Sequence, residues 1–303
     1  VSSKAFRQYL LGVKSPGTAQ KYASSADIFL RVMRANGYGD FSQIPPGLLS
    51  ELASMLIRQR LRPNTVRVHI FAIKKYLEWV RGRGVEVVEQ TKVDLPSRQV
   101  RMREVLPVDQ FTNYFRSADL ELEEPMRTAV MLLPCCGLRA AEIVSLKLEH
   151  IQRAHVKLAN GKKKSTLILK VLGKGDKERH VPLMEEGVEI LTGYLAGWRK
   201  RQKGPWLFPR ITKKTSTSGT NHVSSRSLRD SLQKMREPMG MNFTPHTMRR
   251  TYVTTLHRKG VDLATIAKIA GHANVQTTVD HYISMEPSST VKAVHDAGAS
   301  LTE

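Results

Sequence analysis

"AHVKLANGKKKSTLILKVLGKGDKERHVPL", residues 154–183, is where the reading of this chain turns. On either side of it, apolar residues recur at helical spacing; inside it, β-branched and polar residues alternate. Asn160-Gly161 is a hairpin turn signal, and Gly173-Lys174-Gly175-Asp176 marks a second tight turn. The stretch predicts three short strands inside an otherwise helical domain. The fold class is therefore mainly α with a small antiparallel β-sheet.

Working outward, residues 108–118 ("VDQFTNYFRSA") and 124–137 ("EPMRTAVMLLPCCG") read as helices, the second ended by Gly137. Residues 138–151 ("LRAAEIVSLKLEHI") read as a further helix opening at Leu138-Arg139. After the strands, residues 211–225 ("ITKKTSTSGTNHVSS") form a polar Gly/Ser/Thr-rich loop. Pro245 introduces a helix running to about Lys259 and stopped by Gly260. Asp262 caps "LATIAKIA", which ends at Gly271, and Asn274 caps a third helix that carries Tyr282.

The first ninety or so residues are helix after helix. Ser15-Pro16 opens one with Tyr22, Ile28, Phe29 and Val32 at helical spacing, stopped by Asn36-Gly37. Residues 45–60 and 62–84 repeat the pattern. In the last of these Val66, Ile70, Ile73 and Leu77 form an apolar face, and Arg62, Arg67, Lys74, Lys75 and Arg81 supply cations. Residues 90–107 break the period with Pro96, Pro107 and several charges, as a linker does. The division expected is a helical domain at 1–95, a linker at 96–104, a second domain at 105–285 and a tail at 286–303.

Composition points to a polyanionic partner. The chain has 303 residues with 48 Lys+Arg against 27 Asp+Glu, a formal charge of +21. A surplus of that size favours nucleic acid. Cys135 and Cys136 are adjacent within an apolar run, a pattern for buried, reduced thiols rather than a bridge or a zinc site. No apolar run is long enough to span a bilayer, and no signal peptide is visible. The chain opens on Val1, which leaves room for residues upstream.

Residues 244–283, "TPHTMRRTYVTTLHRKGVDLATIAKIAGHANVQTTVDHYI", concentrate the chemistry. His246, His257, His272 and His281 come without an HExxH motif or carboxylate partners, and Arg249 and Arg250 beside them disfavour a dication. No nucleophile-elbow sequence supports a serine triad. Arginine, histidine, lysine and tyrosine together suit a phosphodiester. Guanidinium forks bind non-bridging oxygens and neutralise developing charge, a phenol can attack phosphorus, and a lysine or histidine can protonate the leaving oxygen.

Four ordered segments carry a family resemblance: "CGLRAAEIVSL" (136–146), "LGKGDKERHVPL" (172–183), "TPHTMRRTYVTTL" (244–256) and "GHANVQTTVDHY" (271–282). Their arrangement resembles the tyrosine recombinases, or phage-type integrases. The pattern there is an Arg opening a helix in G-L-R-x-x-E, a hairpin Lys, H-x-x-R, G-H and a Tyr about ten residues on. It implies that Arg139 and Arg249 clamp the scissile phosphate and that His272 adds a hydrogen bond. Tyr282 attacks to give a 3′-phosphotyrosyl link, Lys174 is the general acid, and His246 assists proton transfer. Glu142 would orient Arg139 as a supporting residue.

Arg62, Arg67, Lys74, Lys75 and Lys177 are expected DNA contacts, Tyr252 a packing residue, and Arg250 lies outside the catalytic set. The resemblance implies no metal, no cofactor and no ATP. It further implies double-stranded DNA with specific recombination sites as substrate and two domains closing round it as a C-shaped clamp. A homo-tetramer on DNA assembles from monomers free in solution, with accessory or directionality factors and no membrane. The tail would dock on a neighbouring protomer, and the place of action is the cytoplasm of a prokaryote, nucleoid-associated when bound to DNA. The alternatives are relaxation of the type IB topoisomerase kind and a DNA-binding relative without turnover.

Overall fold

The computed structural model describes residues 1–97, 105–157, 161, 163–173, 178–211, 222–272, 274–276 and 278. Its contacts divide the chain into two compact units, Val1–Arg101 and Met102–Glu303. The first holds α1 (Ser3–Leu11), α2 (Pro16–Ala35), α3 (Leu48–Arg58) and α4 (Pro63–Arg81). The hydroxyls of Ser2 and Ser15 accept from the Ala5 and Thr18 amides, so α1 and α2 begin on side-chain caps. On α4 the Val66, Ile70, Ile73 and Leu77 stripe is buried.

The apolar stripe of α2 differs from the one its larger residues suggest. Ala19, Ala23, Ala26, Phe29 and Met33 face the core, while Tyr22, Ile28 and Val32 are half-buried along its edge. Small residues on the inner face let neighbouring helices approach, so the bulky ones fall to the flanks. Residues 90–96 also pack on this unit. Gln90 Nε2 donates to Pro45 O (3.2 Å), the Thr91 amide donates to Pro46 O (2.9 Å), and Val93 is buried.

The second unit is built round a helix buried over all but its first two residues. After α5 (Phe111–Glu121) comes α6 (Met126–Cys136), every residue of which from Thr128 to Cys136 is buried. A helix apolar on all sides can only be central, and each Leu or Val buried there contributes about 1.5–3 kcal/mol. Pro134 inside α6 has no N–H for Val130 O, and the Tyr114 hydroxyl of α5 donates to that carbonyl instead (2.7 Å). Cys135 and Cys136 are free and buried, and burial pushes both thiols up, Cys136 to about 12.

Beyond Gly137 the expected helix over 138–151 does not form. Only α7 (Ala140–Val144) is helical, followed by a single 3-10 turn at Leu148–His150. The backbone of 146–148 is claimed from elsewhere: the Leu207 amide donates to Leu146 O (2.8 Å) and the Leu148 amide to Pro205 O (2.8 Å). Ile151 already opens β1 (Ile151–Lys157), which pairs antiparallel with β2 (Lys163–Leu172), itself antiparallel to β3 (Glu178–Pro182). Opposite Ile151 and Val181 stands Leu169, and Leu167, Leu169, Val171 and Val181 make the buried face.

Then come α8 (Glu185–Ala196), α9 (Ser225–Lys234), α10 (Arg236–Met239), α11 (Pro245–Arg258) and α12 (Leu263–Ala270). Asn274 accepts from the Gln276 amide (2.9 Å), and the described residues that follow it are helical. The Asn160 turn residue, most of the 211–225 loop and the 286–303 tail lie outside the described residues. Among the described residues no helix is long and apolar enough to cross a membrane.

Candidate active site

Gly137 ends α6 in the left-handed region (φ 59°), and a Cβ there would lie 2.5 Å from the Tyr252 ring. Only glycine meets both demands. Tyr252 and Arg249 sit three apart on one face of α11, a helix capped by the Thr244 hydroxyl with Pro245 in its first turn. The Tyr252 ring packs beneath Gly137 and its hydroxyl donates to Pro182 O (2.8 Å). Arg249 Nη1 donates to Gly137 O (2.8 Å). One turn of chain thus ties α6, α11 and β3 together.

Arg139 is the residue that opens α7. Its amide donates to Glu142 Oε2 (2.8 Å), the reciprocal arm of a helix cap, and its Nη1 donates to Glu142 Oε1 (2.6 Å). The Glu142 side chain is 8% exposed and has further cations around it. Arg179 of β3 grips both oxygens, Nη1 to Oε1 at 3.1 Å and Nη2 to Oε2 at 2.7 Å, and Arg249 Nη1 stands 4.0 Å from Oε2. Burial alone would raise this carboxyl. Hydrogen bonds from Arg179 and from the Arg139 amide, with the charges beside them, outweigh that and lower it from 4.5 to about 2.

The same arginines close the end of α12. Asp262 caps its start, and Gly271 (φ 65°) turns the chain at its end, where the His272 amide reaches back to Ala267 O (3.0 Å). Three successive carbonyls there each accept from a different arginine. Arg179 Nε donates to Ile269 O (2.9 Å), Arg249 Nη2 to Ala270 O, and Arg139 Nη2 to Gly271 O (3.2 Å). A helix C-terminus carries about half a negative charge, so this is where guanidinium groups are held most readily.

His272 follows directly. Its Nδ1 shares a hydrogen bond with Thr278 Oγ1 (2.8 Å), a fully buried hydroxyl on the helix after Asn274.

Arg139, Arg249 and His272 are therefore brought to one place, at the end of α12. Arg139 keeps 45% of its side chain exposed, while Arg249 is 2% exposed and forms the floor. His246 is exposed, one turn ahead of Arg249 on α11. Lys174, Lys177 and Tyr282 lie outside the described residues. Of the expected DNA contacts in the first unit, Arg62, Lys74 and Lys75 are exposed. Lys75 pairs with Glu78 at 2.7 Å, and half-buried Arg67 donates to Pro96 O at 3.2 Å. Arg250, set outside the catalytic set by its sequence position, is buried at 8%. Among the described residues no group of His, Cys, Asp or Glu has the makings of a metal site.

Two residues at the site were not singled out from the sequence. Arg179 had a faint signal: it shares the inward face of β3 with buried Val181, an odd place for a cation. Thr278 had none.

A half-exposed guanidinium and a buried one, both against one carboxylate, with an imidazole on the residue after Gly271, are the donor types from which a tetrahedral oxyanion such as a phosphodiester accepts. Comparison with known proteins identifies the family. The sequence profile of the phage integrase family matches residues 104–288. The chain is 28% identical over 242 residues to tyrosine recombinase XerD of Staphylococcus aureus (76% of this chain, 75% of the relative). It is 26% identical over 272 residues to tyrosine recombinase XerC of Proteus mirabilis (87% and 82%).

Its fold is shared with XerH recombinase in a post-cleavage complex on a palindromic difH substrate (TM-score 0.68, 18% identity, 91% and 79% covered). It is shared too with a lambda integrase dimer bound to a core site (TM-score 0.65, 13% identity, 92% and 93% covered). The chain belongs to the phage integrase family: it is a tyrosine recombinase, an enzyme of site-specific DNA strand transfer.

Proposed function

We propose that this recombinase cleaves double-stranded DNA at defined sites through Tyr282. The observation that carries the reading is the meeting of Arg139 and Arg249, from separate elements, at Glu142 and the end of α12. Arg139 and Arg249 bind the non-bridging oxygens of the scissile phosphate, and His272 adds a hydrogen bond. The Tyr282 phenolate attacks phosphorus, a 3′-phosphotyrosyl bond forms, and the 5′-oxygen leaves with a proton from Lys174, assisted by His246. Attack by a 5′-hydroxyl of a partner strand reverses the step and frees the tyrosine. The bond energy is conserved, so neither ATP nor a metal enters.

The DNA-bound states of XerH and lambda integrase support duplex DNA as the partner. The Val1–Arg101 unit serves as the helical DNA-binding domain, with Arg62, Arg67, Lys74 and Lys75 on phosphates. Lys177 does the same from the second unit. Exchange takes place in a homo-tetramer on two sites, with accessory or directionality factors setting the outcome, in the cytoplasm of a prokaryote.

The test is covalent capture in excess EDTA on fragmented DNA of the source replicon, followed by denaturation and peptide mass. The account expects adducts on Tyr282 that are absent from Tyr282→Phe. Adducts on another tyrosine would overturn the nucleophile assignment, and salt-sensitive binding without adducts would overturn the catalytic reading.

A further inference from the structure

Arg179 faces away from solvent, with 10% of its side chain exposed, and it is fully occupied by the site's own scaffold. Its fork spans both oxygens of Glu142, and its Nε holds Ile269 O. The contact is close enough to constrain the neighbouring chain. A Cβ on Gly271 would stand 3.1 Å from Cδ, Nε and Cζ of Arg179, so the turn leading to His272 is moulded on this guanidinium.

We infer that Arg179 is a positioning residue for the phosphate clamp: it fixes Glu142 and the end of α12, and so places Arg139, Arg249 and His272 without touching DNA.

A count of charges gives the reason. Glu142 carries one negative charge and lies against Arg139, with Arg249 at 4.0 Å. Left to those two, it would offset half of the positive charge meant for phosphate. Arg179 takes both carboxylate oxygens in a bidentate pair, the geometry that guanidinium and carboxylate form best. The charges of Arg139 and Arg249 are then left for the substrate. The demand for them rises as the phosphate becomes a more highly charged five-coordinate species, so the effect of Arg179 falls on the chemical step more than on DNA binding.

Geometry adds to this. Glu142 Oε1 accepts from Arg139 and Arg179 together, and Oε2 from the Arg139 amide and Arg179, so the carboxylate has one orientation available. A lysine at 179 would keep the charge and lose the fork.

This inference rests on the clamp reading, and its test separates the two. The duplex recovered by covalent capture is synthesised with either a phosphodiester or a methylphosphonate at the cleaved position. Replacing one non-bridging oxygen by methyl removes the charge that the clamp answers. Single-turnover cleavage of both duplexes is measured for the full chain, Arg179→Lys, Glu142→Gln, Arg179→Met paired with Glu142→Gln, and Arg139→Ala, with DNA affinity and thermal unfolding measured alongside.

Arg179→Lys is expected to slow phosphodiester cleavage by about 10–100-fold, the usual effect of removing a residue that supports a site. Its DNA affinity should stay within about threefold, and its loss on methylphosphonate should be several-fold smaller. Arg179→Met paired with Glu142→Gln removes both buried charges and guards against misfolding. That double variant should cleave no more slowly than Glu142→Gln alone, because the two act through one another. Equal losses on both duplexes, or none, would overturn the role given to Arg179. If Arg139→Ala itself shows no preference for methylphosphonate, the clamp reading fails first.

Discussion

The exposed cations of α4 and the buried cations beneath Glu142 are the same chemical groups put to opposite uses. Arg62, Lys74 and Lys75 stand in solvent over a core of Val66, Ile70, Ile73 and Leu77 that is complete without them. Arg179 and Arg249 have 10% and 2% of their side chains exposed, and each is tied to named acceptors from several elements. An exposed cation is hydrated and screened, so it acts by its share of a sum. A buried one has exchanged its water for fixed partners, and its place cannot be taken by a neighbour. Nonspecific attraction to DNA tolerates imprecision, whereas phosphate chemistry requires fixed geometry.

The contrast breaks most visibly in Arg249→Ala. Its removal takes one hydrogen bond from Gly137 O and one from Ala270 O and leaves Glu142 short of a cation. The account expects a cleavage rate lower by about 10³-fold, the upper range for losing one oxyanion ligand. A loss of about 3–5 kcal/mol in unfolding free energy should accompany it, read from denaturant titration. Salt-sensitive DNA binding should survive.

Glu142→Gln tests the buried side through pH. The carboxyl is held down from 4.5 to about 2 in the folded chain, so the stability it contributes is complete above about pH 4.5 and fades as pH falls toward 2. The difference in unfolding midpoint between the unaltered chain and Glu142→Gln should be widest near neutrality and close through that acid window. A constant difference would mean that Glu142 is not the paired carboxylate described.

The exposed side should respond least. Lys74→Ala is expected to reduce the slope of log affinity against log salt by about one, and to leave unfolding and saturated cleavage unchanged. Lys75, already paired with Glu78 at 2.7 Å, should change the slope less than Lys74. A cleavage defect in either would blur the division between the two sets.

Much of this was legible in the sequence where the signals are local. Ser15 and Asp262 cap helices, Pro245 stands in the first turn of another, and Gly137 and Gly271 end theirs in left-handed conformations. The shift to period two located the strands. Long-range pairing was not legible. Residues 146–148 continue an apolar helical period, yet their backbone is taken by 205–207, far along the chain. Helical spacing marked α2 but not its inner face, which alanines fill beside Phe29 and Met33.

Within the site, Arg139 and Glu142 are three apart and readable as a pair. Arg179 meets Glu142 only through the register that sets Arg179 opposite Val171, which depends on the fold as a whole. Thr278 looks like any polar residue until His272 is found 2.8 Å from it.

The central claim is that Arg139 and Arg249 hold one phosphate between them over Glu142. A crystal structure of Tyr282→Phe on its captured duplex tests it most directly. Each guanidinium should lie within hydrogen-bonding distance of a non-bridging oxygen of the scissile phosphate, with His272 beside it and the Arg179–Glu142 fork intact below. A scissile phosphate bound elsewhere, with Arg249 still turned to Gly137 and Ala270 alone, would contradict it.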